Sequence, residues 1–125
     1  MKTLRRERAP RYTRDAGITS YLLASPRTGG AERLTTTLVE IEPGGEQRIH
    51  RHPPEQVYFI LDGSGLMSVG SETEAVAAGD CILVPSDAPH GLRNTGDVAL
   101  RYFSAAAPSF TAEQLERWWP LKSAE

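Results

Sequence analysis

The chain of 125 residues contains one cysteine, Cys81, so an intrachain disulfide is excluded. It also lacks an apolar run of membrane length and the short apolar core of a signal peptide, and the expectation is a soluble, cytoplasmic protein. Neither sign of charge dominates. With 14 Lys and Arg against 16 Asp and Glu, the formal net charge is -2, which argues against a generally basic nucleic-acid surface. Two catalytic layouts are missing as well. No nucleophile elbow supports a Ser-His-carboxylate triad, and no glycine-rich loop leads into the lysine and hydroxyl of a phosphate-binding loop.

What remains has a globular balance, 39% hydrophobic and 24% charged, in a length that suits one domain. Eleven glycines and nine prolines cut the chain into short segments and suit many tight turns. Charge is uneven along it. Residues 1–14 hold Lys2, Arg5, Arg6, Arg8, Arg11 and Arg14 against Glu7 alone, a local excess of five positive charges. Residues 1–15 therefore read as a basic arm, solvated or clamping a partner, with no aromatic interleaving or apolar stripe to favour nucleic acid or membrane.

Residues 16–108 read as strands and turns. RLTTTLVEI, from Arg33 to Ile41, is rich in β-branched residues, and its alternation puts Thr35, Thr37, Val39 and Ile41 on one inward face before Pro43, Gly44 and Gly45 end it. Further β segments are Gln47 to His52, QVYFIL from Gln56 to Leu61, LMSV, CILV before Pro85, and ALRYF. Several short strands at this spacing favour a barrel or sandwich over βαβ units. Residues 109–125 read as a helix and tail. Thr111 is the cap, Gln114 completes a capping box, Phe110 and Leu115 form a hydrophobic staple, and Pro120 stops the segment. Trp118 and Trp119 fall where the helix locks against the strands or another subunit, with ligand stacking as the other reading.

The chain has three histidines. His50 and His52 are two residues apart, so on a strand they share a face and can reach one ion. Gln56 and Tyr58 alternate in the same way on the next segment. If the Pro53-Pro54 turn lays that strand beside the first, parity brings in the amide of Gln56 rather than the carboxylate of Glu55. His90 completes a four-ligand set if the CILVP segment returns to the pair, and neutral imidazoles suit first-row divalent ions.

These residues lie in a pattern that resembles the cupins. The first family motif runs Gly44, five residues, His50-Arg51-His52, three residues, Gln56, six residues, Gly63. The second runs Gly79, five residues, Pro85, one residue, Asp87, two residues, His90, three residues, Asn94, and fifteen residues separate the two. The resemblance implies an all-β double-stranded β-helix, a jelly-roll barrel with a short C-terminal helix, often homodimeric, with one divalent ion (Fe, Mn, Ni, Zn, Co or Cu) inside an open end. It carries His50, His52 and His90 over as ligands and puts Gln56 at the usual glutamate position. Gly63 and Gly79 carry over as turn residues, Pro85 as a strand end and Asn94 as a structural residue. There are two departures from the pattern: glutamine for the carboxylate, and Asp87 for the usual glycine.

Three imidazoles and an amide leave a divalent ion its full charge, which favours an anionic small-molecule substrate and Lewis-acid isomerase, lyase or cyclase chemistry on an oxygen-rich acid or sugar derivative. An Fe(II)-dependent dioxygenase and a non-catalytic binding or sensing protein are the alternatives. Alternation nominates three accessory groups: Arg48 to bind a carboxylate or form a rim salt bridge, Tyr58 to move a proton or fill the interior, and Tyr102 to line the mouth or pack. Glu55 and Asp87 serve as bases only if local turns redirect them, while Met67 and Cys81 are expected in the packed interior.

Overall fold

Pro53 and Pro54 have no backbone N–H and cannot carry a ladder, so the strand before them and the strand after them join different sheets. The computed structural model describes residues 1–14 and 17–120; the tail expected after Pro120 lies outside them. Its strands are β1 (Arg11–Arg14), β2 (Ile18–Leu22), β3 (Thr35–Ile41), β4 (Glu46–His50) and β5 (Glu55–Asp62). They continue as β6 (Ser64–Val69), β7 (Glu72–Ala77), β8 (Cys81–Val84), β9 (His90–Asn94) and β10 (Leu100–Ala107), followed by helix α1 (Ala112–Trp118). One sheet has six strands in the order β1-β2-β3-β10-β5-β8, and the other has four in the order β4-β9-β6-β7. All ladders between these strands are antiparallel.

The closed jelly-roll barrel expected from the family resemblance does not form. The six-stranded sheet ends at β1 and β8 and the four-stranded sheet at β4 and β7, and no ladder among the described residues joins one to the other. The physical reason lies at the crossings. The chain passes from β4 to β5 through the donorless Pro53-Pro54 pair, and β8 stops at Pro85. The two sheets are held by side chains instead. Ile18, Val39, Ile41, Ile60 and Leu100 from the larger sheet pack with Met67, Val76 and Leu92 from the smaller one in a single apolar cluster. Each such residue, once buried, contributes about 1.5–3 kcal/mol.

The alternation expected in β3 is present, with Thr35, Thr37, Val39 and Ile41 all buried. Met67 is also in the core. Cys81, expected inside, is exposed: it pairs with Phe59 on the outward parity of edge strand β8, where Val84 takes the inward one. The basic arm folds back over the larger sheet. Its β1 pairs with β2, Lys2 Nζ donates to the Gly29 carbonyl at 2.8 Å, and Arg6 lies 3.7 Å from Glu40 and over the Tyr21 ring.

Helix α1 begins as its sequence predicts. Gln114 N–H donates to Thr111 Oγ1 at 3.1 Å and Thr111 N–H to Gln114 Oε1 at 3.0 Å, a reciprocal box that satisfies two donors at the helix start. Phe110 and Leu115 are buried together with Leu22, Ala106 and Trp119, which seats the helix on the larger sheet. Asp87 adopts φ 61°, the left-handed region where glycine is at ease, so its backbone keeps the turn that the family glycine would make. Its N–H donates to the His52 carbonyl at 2.9 Å, tying this turn to the histidine segment.

Candidate metal centre

His50 ends β4, His90 opens β9, and the ladder pairs them directly. His52 follows β4 just before the proline pair. Ring centroids are 4.2 Å apart for His50 and His90, 4.8 Å for His52 and His90, and 5.6 Å for His50 and His52. Each ring is oriented by a backbone carbonyl through Nδ1: Arg48 at 2.9 Å for His50, Pro54 at 3.1 Å for His52 and Ala88 at 2.9 Å for His90. A carbonyl only accepts, so in the neutral rings the proton sits on Nδ1 and the lone pair on Nε2.

One potential ligand atom from each of the three residues lies within 4.8 Å of the others. His52 Nε2 and His90 Nε2 are buried without a hydrogen-bond partner. Leaving a buried acceptor unsatisfied costs about 1–3 kcal/mol, a penalty that an ion at this point would relieve. The protonation state fits as well. Burial, reinforced by the charges of His50 and His52 and opposed by the Ala88 carbonyl, pushes the His90 pKa down from 6.5 to about 4. Its imidazole is therefore neutral at pH 7, as a metal ligand must be. The residues present fit a divalent cation.

Gln56 reaches this place from the opposite sheet, not from a strand beside β4 as the proline turn suggests in sequence. Its Nε2–H donates to Ser104 Oγ at 3.1 Å, and Ser104 Oγ in turn lies 2.6 Å from Thr37 Oγ1. The amide oxygen, Oε1, is buried with no hydrogen-bond partner. His50, His52 and Gln56 border one open-mouthed concavity with about 40 Å³ of free internal volume, whose walls include Gln47, Tyr102 and Phe110.

The accessory residues divide. Tyr102 lines the concavity. Tyr58 lies behind it, fully buried and stacked on Tyr102 at 4.3 Å, with its hydroxyl donating to Gln47 Oε1 at 2.6 Å. Arg48 is exposed. Strict alternation puts Arg48 on the face of His50, but the β4–β9 register shifts between Gln47 and His50, so Gln47 shares the inward face and Arg48 does not. Glu55 and Asp87 are exposed and do not border the concavity.

Ser104, Gln47 and Phe110 were not nominated from sequence. Ser104 was within reach, since it shares parity with Leu100 and Tyr102 on β10, whereas Gln47 becomes visible only once the bulge is known.

Facing sheets with three converging imidazoles define a β-protein built to hold a metal ion. Residues 37–106 match the family model described as a cupin domain. The chain belongs to the cupin family. It is 32% identical over 109 residues to Uncharacterized protein MJ1618 of Methanocaldococcus jannaschii, covering 86% of each. Over 76 residues it is 36% identical to dimethylsulfoniopropionate lyase DddW of Ruegeria pomeroyi, covering 60% of this chain and 49% of that one, so it spans about half that enzyme's length. Among solved structures, the polyketide cyclase RemF from Streptomyces resistomycificus aligns with a TM-score of 0.72 at 27% identity, over 86% of this chain and 79% of that one. No helix among the described residues is long and apolar enough to cross a membrane.

Proposed function

We propose that this cupin is a metal-dependent enzyme that performs non-oxidative isomerase, lyase or cyclase chemistry on a small, oxygen-rich, anionic substrate, with Gln56 as the fourth ligand beside His50, His52 and His90. The observation that carries the reading is the set of buried acceptor atoms without partners, His52 Nε2, His90 Nε2 and Gln56 Oε1. All of the proposed ligands are neutral. A bound divalent ion keeps its +2 charge in such a set and supplies Lewis acidity towards substrate oxygens.

The protein's own part is orientation and exclusion. The carbonyls of Arg48, Pro54 and Ala88 hold the three rings in one tautomer, and Ser104 with Thr37 turns the Gln56 amide oxygen inward. Tyr102 forms a wall against the substrate. Tyr58 donates its hydroxyl hydrogen bond to Gln47 Oε1 and so positions that amide, and Arg48, on the exposed side, is assigned no step. The names of two similar proteins, a dimethylsulfoniopropionate lyase and a polyketide cyclase, agree with non-oxidative chemistry, while that of a third, 5-nitrosalicylic acid 1,2-dioxygenase of Bradyrhizobium, 37% identical over 57 residues, favours the dioxygenase as the second reading.

The test is turnover of the metal-loaded protein on small keto acids, hydroxy acids and uronate sugars, with and without oxygen. Oxygen-free turnover is the expected result. Oxygen uptake coupled to product would replace the proposal with an Fe(II)-dependent dioxygenase, and saturable binding without turnover would replace it with a sensor. Gln56→Glu should retain the metal at least as firmly as the parent, and unchanged metal-coordination spectra in that variant would remove Gln56 from the ligand set. We also propose a cytoplasmic homodimer. Phe59 and Phe103 pair across β5 and β10 on the outer face of the larger sheet, with Leu83 57% exposed nearby on β8. Light scattering on the parent and on Phe103→Lys tests it; a parent that scatters as a monomer would end the idea.

A further inference from the structure

Among the described residues, the walls of the concavity carry no lysine, arginine, aspartate or glutamate. A small dicarboxylate entering it would meet the metal ligands and, among the described residues, no second cation in the wall. One side of the wall is instead a run of rings leading outward from the histidines. Phe110 stands edge-on to His52 at 5.1 Å, and Trp118 stands perpendicular to Phe110 at 5.2 Å.

The two tryptophans of this run differ. Trp119 is buried among Leu22, Ala106 and Leu115, and its indole N–H donates to the Ser20 carbonyl at 3.3 Å, so it anchors the helix. Trp118 is only partly buried, borders the concavity, and has no hydrogen-bond partner among the described residues for its indole N–H. The register of α1 keeps it there. The Thr111 capping box fixes where the helix starts, and Arg27 Nη1 lies 2.8 Å from the exposed Glu116 carboxylate two residues before Trp118.

We infer that the site takes an aromatic ligand bearing a hydroxyl or enol oxygen beside a second oxygen donor, with the oxygens towards His50, His52 and His90 and the ring against Trp118 and Phe110. This rests on the metal reading above and narrows its substrate class from oxygen-rich acids in general to ring-bearing ones. A ring packs on indole and phenyl faces without needing a counter-charge, which is what an uncharged wall can offer. Trp118 is then a specificity residue, and it leaves the ligand atoms untouched.

Salicylate and glycolate test this, since both carry a hydroxyl and a carboxylate and only the first has a ring. Each is titrated into nickel-loaded and metal-free protein by calorimetry, for the parent, Trp118→Ala and Trp118→Leu, with metal content and thermal midpoint measured alongside. The expected result is a preference for salicylate in the loaded parent that falls on the order of 10-fold in both variants, the gain that one ring-on-indole contact gives, at unchanged metal content. The leucine variant keeps apolar bulk should alanine unfold the helix. Equal affinities for the two probes, or a preference that survives in a folded, metal-loaded Trp118→Leu, would overturn the inference. A Trp118-dependent preference for salicylate that is the same with and without nickel would leave the aromatic wall standing and remove the metal reading beneath it.

Discussion

The space between the two sheets has two dissimilar ends. At one, Ile41, Ile60, Leu92 and Leu100 close on each other with almost no exposed surface. At the other, the same strands supply Thr37, Gln56, Ser104 and His90, also buried, but with His90 Nε2 and Gln56 Oε1 left without partners. One residue along β5, Phe59, separates Ile60 from Tyr58, and one more, Val57, separates Tyr58 from Gln56. Burial here serves opposite ends: it stabilises the apolar half, while in the polar half it leaves acceptor atoms without a protein partner, lone pairs that a cation can take up.

The contrast can be broken most sharply at His90. His90→Ala should reduce retained metal from about one ion per chain to background in elemental analysis, and the variant should remain folded by circular dichroism because the apolar end is untouched. Metal retained at full stoichiometry would show that the ring paired with His50 is not a ligand. At the other end, Leu100→Ala should lower the unfolding free energy by about 2–5 kcal/mol in urea titration. Its folded fraction should bind metal as the parent does. A change in metal affinity comparable with the loss of stability would show that the two ends are not independent.

The pH response of the metal-free protein sharpens the comparison further. Unfolded histidine titrates near 6.5, and folded His90 is held down at about 4, chiefly by burial. Between these values the unfolded chain takes up a proton that the folded one refuses. Stability present in full above pH 6.5 should therefore fall by about 3 kcal/mol as the pH drops to 4. Urea midpoints across that window check it, and His90→Leu should flatten the slope. The smallest effect is expected at the roof of the polar end. Thr111→Ala removes one side of the capping box and should cost about 1 kcal/mol, read as a lower thermal midpoint at constant metal content.

The sequence spoke clearly wherever a local rule governs. The spacing of His50, His52 and His90, the inward parity of Thr35 to Ile41, and the Thr111–Gln114 box are each set within a few residues or by a repeated motif. It was silent where pairing between distant segments governs. A register shift after Gln47 exchanges the faces of Gln47 and Arg48, and nothing in QRIH marks that irregularity. Exposure of Cys81 follows from β8 being an edge strand paired only with β5, which depends on the whole sheet order. The expectation of a closed barrel failed for the same reason, since closure is a property of ladders between strands far apart in sequence. Gln56 borders the concavity, though by facing the histidines across the core instead of beside them.

That placement has a mechanical consequence. His50 and His90 belong to the four-stranded sheet, Gln56 to the six-stranded one, and His52 to the proline crossing between them. With no ladder among the described residues joining the sheets, an ion held by the three histidines and, as proposed, by Gln56 would act as a rivet through two plates. Its affinity then measures how closely the plates are pressed together, and removing it with a chelator should loosen their sliding past one another before it unravels either one.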